Sequence, residues 1–118
     1  MNKNRVLVYH NPGCSKSRGV VELLKSRNIK FDIFLYLENE IPHKDFLHIL
    51  ALLKLKPRDV LRKKEKEYQE NNLGNLKLSD KEILEILLKN RKLIQRPIVV
   101  TDTKAVIARP PEKVFDIF

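Results

Sequence analysis

The sequence contains one cysteine, Cys14, and few of the residues that mark disulfide-rich, fibrous or membrane proteins. A single cysteine cannot form an internal disulfide, which excludes a small scaffold held together by such bonds. With 3 glycines and 6 prolines in 118 residues, the chain is neither collagen-like nor of the disordered, proline-rich kind. Its apolar runs, such as 49–53 and 98–100, are far shorter than the roughly 18 residues of a membrane span.

The first residues also argue against export. Residues 1–4 lead directly into a strand-like segment and leave no room for the apolar stretch of a secretory signal. We therefore expect a cytoplasmic protein that makes no use of a membrane. A chain of this length can bury about two-thirds of its unfolded surface, which suffices for one domain covering residues 1–118.

Paired metal ligands are missing as well. Cys14 and the three histidines show none of the paired spacings of zinc sites, so no metal is expected. His43 and His48 are five residues apart, which places them on different faces of a helix and predicts two surface histidines.

Charge is abundant, with 24 Lys and Arg against 15 Asp and Glu, a net charge of +9. Much of it lies in mixed stretches such as 62–67, where alternating signs indicate a solvated helix face. No interleaved aromatic residues or nucleic-acid-binding motif accompany it, so nucleic acid is not an expected partner.

The N-terminal third predicts a β-α-β unit. Arg5–Tyr9 is an apolar, β-branched strand that ends at the turn 11–13, and Phe31–Tyr36 is a second strand. Between them, Ser15 or Ser17 can cap a helix that runs to about residue 27. Such a unit pairs its strands in parallel and puts Cys14 at the carboxyl edge of the sheet, where ligands bind in open α/β sheets.

The middle of the chain predicts helices. Pro42 opens one, Pro57 starts another that continues past Leu61, and Ser79 with Glu82 forms a capping box for a third.

The end of the chain predicts a hairpin and a closing helix. The strands 98–101 and 105–108 are joined tightly enough to be antiparallel, and Pro97 lies where a strand tolerates proline. A last short helix over 110–118 is expected to lay Val114, Phe115 and Phe118 on the sheet.

Cys14 lies where a loop becomes a helix, and this position favours a thiolate and a bound oxyanion. Ser17 and Arg18 add a hydroxyl and a cation within one turn. Arginines suit tetrahedral oxyanions, and the candidates are Arg62, Arg96 and Arg109. The residues alone leave other interpretations open. Cys14 can be an inert core residue, the arginines can be surface charges, and His10 can either tune the thiol or bond a loop carbonyl.

Five segments together resemble the glutaredoxin-linked arsenate reductase family: 9–18, 36–38, 61–63, 90–100 and 109–112. The resemblance implies an α/β, thioredoxin-like fold, with a mixed four-stranded sheet and an inserted helical region. It also implies Cys14 as the nucleophile and Arg62, Arg96 and Arg109 as the oxyanion ligands. His10, Ser17 and Arg18 support the loop, and the bond between Arg96 and Pro97 is expected to be cis.

The resemblance implies reduction of arsenate to arsenite through a covalent thioarsenate on Cys14. The reduction takes two electrons, and this chain has no second cysteine, so an external thiol must supply the other sulfur. Glutathione and a glutaredoxin-like protein fill that role in the family. No bound cofactor is needed, and a monomer is expected.

One local difference and two alternative functions remain. Ser15-Lys16 stands where the family usually has Gly-Thr, which bears on the shape and charge of the anion loop. A redox-responsive transcription regulator that binds RNA polymerase shares the fold but usually carries Cys-x-x-Cys, whereas this chain has Cys14-Ser-Lys-Ser17. A related thiol transferase without arsenate activity is the other alternative.

Overall fold

A computed structural model describes residues 5–118, so the predicted lead-in at 1–4 lies outside the described residues. The chain divides into two compact units: residues up to Asn39 together with Arg96–Phe118, and Glu40–Gln95. We call them the sheet unit and the helical unit. A single domain over residues 1–118 stays a prediction. No helix within residues 5–118 is both long and apolar enough to cross a membrane.

The sheet unit contains four short strands in the order β2-β1-β3-β4. Their bounds are Leu7–His10 for β1, Asp32–Leu35 for β2, Ile98–Val100 for β3 and Ala105–Ile107 for β4. Strand β1 pairs in parallel with β2 and antiparallel with β3, which continues into the antiparallel hairpin with β4. The mixed four-stranded sheet, the parallel first pair and the hairpin confirm the predicted fold.

Helix α1, Ser15–Ser26, connects the two parallel strands, as predicted. It buries Val20, Val21 and Leu24, and the core of this unit joins the first and last of these to residues of β1 and β3. The expected serine cap is wrong. Cys14 itself occupies the N-cap position and no side chain caps the helix, because Ser17 is already inside the helix and fully buried.

The closing segment is a 3-10 helix, Pro111–Ile117, and one of its predicted contacts is wrong. Val114 and Ile117 are buried, whereas Phe118 is 54% exposed. A 3-10 helix has three residues per turn, so positions 114 and 117 share a face, where an α-helix would bring round position 118.

The helical unit carries three α-helices and two short 3-10 helices. They are α2 His43–Leu53, the 3-10 helix Pro57–Val60, α3 Lys66–Glu70, α4 Asp80–Lys89 and the 3-10 helix Arg91–Leu93. The capping box of α4 forms as predicted: the Glu82 N–H donates to Ser79 Oγ, and the Ser79 N–H donates to Glu82 Oε1, each over 3.1 Å. His43 and His48 are both exposed.

The helix predicted to continue from Pro57 past Leu61 is wrong. It stops at Val60, and Leu61 is extended and forms an isolated antiparallel bridge with Ile94. The Gln95 N–H donates to Val60 O over 2.8 Å, which holds these two segments side by side. The pairing is with a segment more than thirty residues away in sequence, and local helical periodicity carries no information about it.

Candidate active site

The strand register of the sheet unit brings three loops to one edge of the sheet. Tyr9 of β1 is opposite Ile98 of β3, and Ile98 is opposite Ile107 of β4. The chain leaves β1 just beyond Tyr9 toward Cys14, enters β3 just before Ile98, and leaves β4 just beyond Ile107. The loop of Cys14 and the segments of Arg96 and Arg109 therefore emerge at the same end of the sheet.

The loop before Cys14 is shaped by Asn11. Its side-chain Oδ1 accepts the Gly13 N–H over 2.9 Å, and its backbone oxygen accepts the Cys14 N–H over 3.0 Å. The Arg18 guanidinium, in α1, donates to Pro12 O over 2.8 Å and so joins the loop to the helix. Because the Cys14 N–H is used within this turn, the N–H groups left to face the sulfur come from the first turn of α1.

The electrostatics of this site favour a thiolate at Cys14. Partial burial raises the pKa of the thiol, but the backbone N–H groups of Ser17 and Lys16 donate to the sulfur, and Arg96 adds a hydrogen bond and a positive charge. These interactions outweigh burial, so the pKa of Cys14 lies below its ordinary value. The thiol is partly exposed, unlike that of an inert core cysteine.

His10 and Ser17 form a buried pair behind the loop. His10 Nδ1 is hydrogen-bonded to Ser17 Oγ, and the same oxygen accepts the Asn11 N–H over 3.1 Å. Burial and the positive charge of Arg18 both lower the pKa of His10, so its ring is neutral at pH 7. His10 thus contacts the hydroxyl of Ser17 in α1, where the sequence analysis had considered a loop carbonyl, and tuning of the thiol by His10 stays a prediction.

The peptide bond between Arg96 and Pro97 is cis, as the family resemblance implied. Pro97 O accepts the Ala108 N–H over 2.9 Å, which extends the ladder between β3 and β4 toward the site. The peptide bond between Arg109 and Pro110 is cis as well, and the sequence analysis missed it.

Glycine at position 19 lets the Arg109 segment come close to α1. A Cβ at Gly19 would lie 3.3 Å from Pro111 Cγ, closer than side chains normally pack. The segment that follows Arg109 is thereby packed directly on the helix that begins beside the thiol. Arg109 itself is exposed, and Arg96 is the arginine that contacts the sulfur.

Arg62 belongs to the helical unit. Its N–H donates to Leu93 O over 2.7 Å, and its side chain pairs with Glu65, with Arg62 Nε 3.4 Å from Glu65 Oε1. The stretch 62–67 is therefore not the solvated helix face predicted from its alternating charges, since it turns before α3 and half-buries Arg62 and Glu65.

The N–H groups that face the thiolate belong to Lys16 and Ser17, at the helix start where the sequence predicts a stabilised thiolate. Sequence reasoning missed the role of the Asn11 side chain, although Asn before Pro-Gly is a usual turn signal. Within the helical unit it also missed the ion pair of Glu65 with Arg62, for which an Arg–Glu spacing of three residues was the available signal.

The chain is similar to known proteins in both sequence and structure. Residues 9–117 match the model of the ArsC family. The chain is 40% identical over 114 residues to uncharacterized protein YfgD of Escherichia coli K12, covering 96% of each. It is 40% identical over 113 residues to an arsenate reductase of Haemophilus influenzae, covering 95% of this chain and 97% of the relative. The structure of an arsenate reductase from Vibrio cholerae matches with a TM-score of 0.94 and 39% identity, covering 99% of this chain and 100% of that one. The chain with its thiolate-stabilising loop at Cys14 therefore belongs to the ArsC family.

Proposed function

We propose that this protein reduces arsenate to arsenite, using Cys14 as the nucleophile and glutathione with a glutaredoxin-like protein as the source of electrons. The observation that carries the proposal is the thiol of Cys14, partly exposed at the sheet edge, with two backbone N–H groups and Arg96 directed at its sulfur. Relatives named arsenate reductase in Haemophilus influenzae and Escherichia coli support arsenate as the substrate. We also propose that the protein functions in the cytoplasm, because a lone catalytic thiol is kept reduced there.

The first step forms a sulfur–arsenic bond. The Cys14 thiolate attacks arsenic(V), and one arsenate oxygen leaves as water after protonation, which gives a thioarsenate ester. Thiolate and oxyanion repel each other by roughly 4 kcal/mol per charge pair at 4 Å and an effective dielectric constant near 20. We assign the offsetting positive charge to Arg62, Arg96 and Arg109, whose planar forks match oxyanion oxygens.

The second step transfers the electrons. A glutathione thiolate attacks the Cys14 sulfur, the sulfur–arsenic pair stays on arsenic, and arsenite leaves with arsenic reduced by two electrons. Cys14 is left as a mixed disulfide with glutathione, because the described chain offers it no partner sulfur. A glutaredoxin-like protein then takes the glutathione by thiol exchange and restores the Cys14 thiol. A second glutathione thiolate attacks the mixed disulfide on the glutaredoxin-like protein, which releases glutathione disulfide and regenerates that protein. Two glutathione molecules become one glutathione disulfide per arsenate.

The test is a coupled assay of arsenite formation with the purified protein, adding glutathione and glutaredoxin separately. We expect turnover that saturates with arsenate and needs both additions, and none in Cys14→Ser. Ser26→Ala, at the far end of α1, is the matched control and should retain activity, because within residues 5–118 the Ser26 hydroxyl donates only to Leu23 O, over 2.7 Å. With glutaredoxin omitted, mass spectrometry should find glutathione on Cys14.

Two results would reject the proposal. Arsenite formation by Cys14→Ser would remove the nucleophile from the mechanism. Turnover of a glutathione mixed disulfide without any dependence on arsenate would show a thiol transferase in its place.

A further inference from the structure

Among residues 5–118, the Arg62 guanidinium forms one ion pair, with Glu65, and no side-chain hydrogen bond. The Arg62 and Glu65 side chains are only 23% and 26% exposed, so solvent screens this pair less than it screens a surface pair. Glu65 approaches Nε, which leaves the two terminal nitrogens of the guanidinium unclaimed within the described chain.

The backbone beneath the pair is fixed at both ends. The Arg62 N–H is bonded to Leu93 O over 2.7 Å, beside the bridge between Leu61 and Ile94. The Glu65 N–H closes a turn onto Arg62 O over 3.2 Å. Because these hydrogen bonds fix the backbone, only the long side chain of Arg62 can still move. The ion pair with the Glu65 carboxylate restricts that movement.

We propose that Glu65 is a positioning residue, which holds the Arg62 guanidinium in the orientation that binds the oxyanion. This inference rests on the proposed function, in which Arg62 is an oxyanion ligand. An arginine that is ordered before binding loses less side-chain entropy on binding than a free one. Glu65 therefore acts through Arg62 and does not touch the substrate.

The direction in which Glu65→Gln changes the affinity for arsenate distinguishes a positioning role of Glu65 from a purely electrostatic one. A carboxylate near a bound anion repels it, so removing that charge by Glu65→Gln should tighten arsenate binding if charge alone matters. If Glu65 acts by holding Arg62, the same substitution should weaken binding. We expect the KM for arsenate to rise about three- to tenfold, in the lower range of coupling between contacting residues, with kcat nearly unchanged.

The experiment compares KM and kcat of the wild type, Glu65→Gln, Arg62→Gln, the double variant and Glu70→Gln. Glu70 is an exposed carboxylate at the end of α3, the helix that follows Glu65, and it forms no ion pair within residues 5–118, so Glu70→Gln should keep the wild-type KM. In the Arg62→Gln background, Glu65→Gln should change nothing further. Melting temperatures of all variants are measured beside the kinetics, because a purely structural role of Glu65 would lower stability and leave KM in place.

Three outcomes overturn the role of Glu65: an unchanged KM in Glu65→Gln, a lower KM, or effects of the two single substitutions that add in the double variant. If the wild type does not turn over arsenate, the protection of Cys14 from alkylation by arsenate supplies a binding constant for the same variants. Protection without turnover refutes the proposed function alone, whereas equal protection of wild type and Glu65→Gln refutes the positioning role. Absence of any protection refutes both.

Discussion

Replacing Arg96 tests the electrostatics of the thiol directly. Arg96→Gln removes a positive charge and shortens the side chain, so the hydrogen bond to the Cys14 sulfur is lost while a polar group remains. The matched control is Arg5→Gln, which removes the same charge from the same unit. Arg5 is an exposed partner of Asp32, 3.5 Å away, just before β1 and thus at the opposite end of the strand from Cys14.

The expected magnitude follows from the contact that is lost. A hydrogen bond to a charged group contributes about 1.5–3 kcal/mol, and water around the partly exposed sulfur favours the lower end. About 1.5 kcal/mol corresponds to a roughly tenfold change in the equilibrium between thiol and thiolate. Since Arg96 stabilises the charged form, its removal raises the pKa of Cys14 and depletes the thiolate at low pH.

The assay is the rate of Cys14 alkylation by iodoacetamide as a function of pH. The profile of Arg96→Gln should move to higher pH, with a rate about tenfold lower on its acidic side. Arg5→Gln should overlay the wild type. A profile of Arg96→Gln that coincides with the wild type, in a protein with an unchanged melting temperature, would refute the role of Arg96 at the sulfur. The result does not depend on whether the protein reduces arsenate.

Three further predictions concern stability. The pKa of folded His10 lies below its ordinary 6.5, so the contribution of His10 to stability is present above pH 6.5 and is lost as pH falls. On acidification, the melting temperature should therefore drop less in His10→Asn than in the wild type. Gly19→Val should lower the free energy of unfolding in urea by about 1–3 kcal/mol through contact with Pro111, whereas in Gly19→Ala a gain in helix propensity of about 1 kcal/mol offsets the contact. Ser79→Ala should cost about 1 kcal/mol in the same measurement, and Glu82→Gln, which keeps its acceptor oxygen, clearly less. An equal drop in melting temperature for His10→Asn and the wild type would contradict the first prediction. A wild-type free energy of unfolding for Gly19→Val or for Ser79→Ala would contradict the second or the third.

Local sequence patterns predicted most of the strands and helices of the fold. The apolar run before Asn11, the helix behind Cys14 and the tight connection near position 103 predict a parallel pair and a hairpin, both of which form. The capping box at Ser79 formed as well, because its donors and acceptors lie within four residues of one another. The capping box and the hairpin join residues that are close in sequence, and the parallel pair follows from the order strand, helix, strand along the chain.

Errors arose where distant segments compete with local preference. Leu61 was expected in a helix, but it bridges Ile94, and the hydrogen bond between Gln95 and Val60 supports that extended pairing. The last turn followed a period of three, which buried Ile117 and exposed Phe118. Neither choice is visible in a window of ten residues, because the partner that decides it lies elsewhere in the chain.

The sequence by itself determined which reactive groups are present: one thiol at the start of a helix, arginines at strand ends, and no second cysteine. The tertiary structure alone decided that the Lys16 and Ser17 N–H groups and Arg96 meet at the Cys14 sulfur, that His10 bonds Ser17, and that Glu65 forms an ion pair with Arg62. The physical reason is distance. A residue type and its place in a strand or helix follow from neighbours along the chain, whereas a pKa and the direction of a guanidinium depend on atoms that only folding brings within a few ångströms.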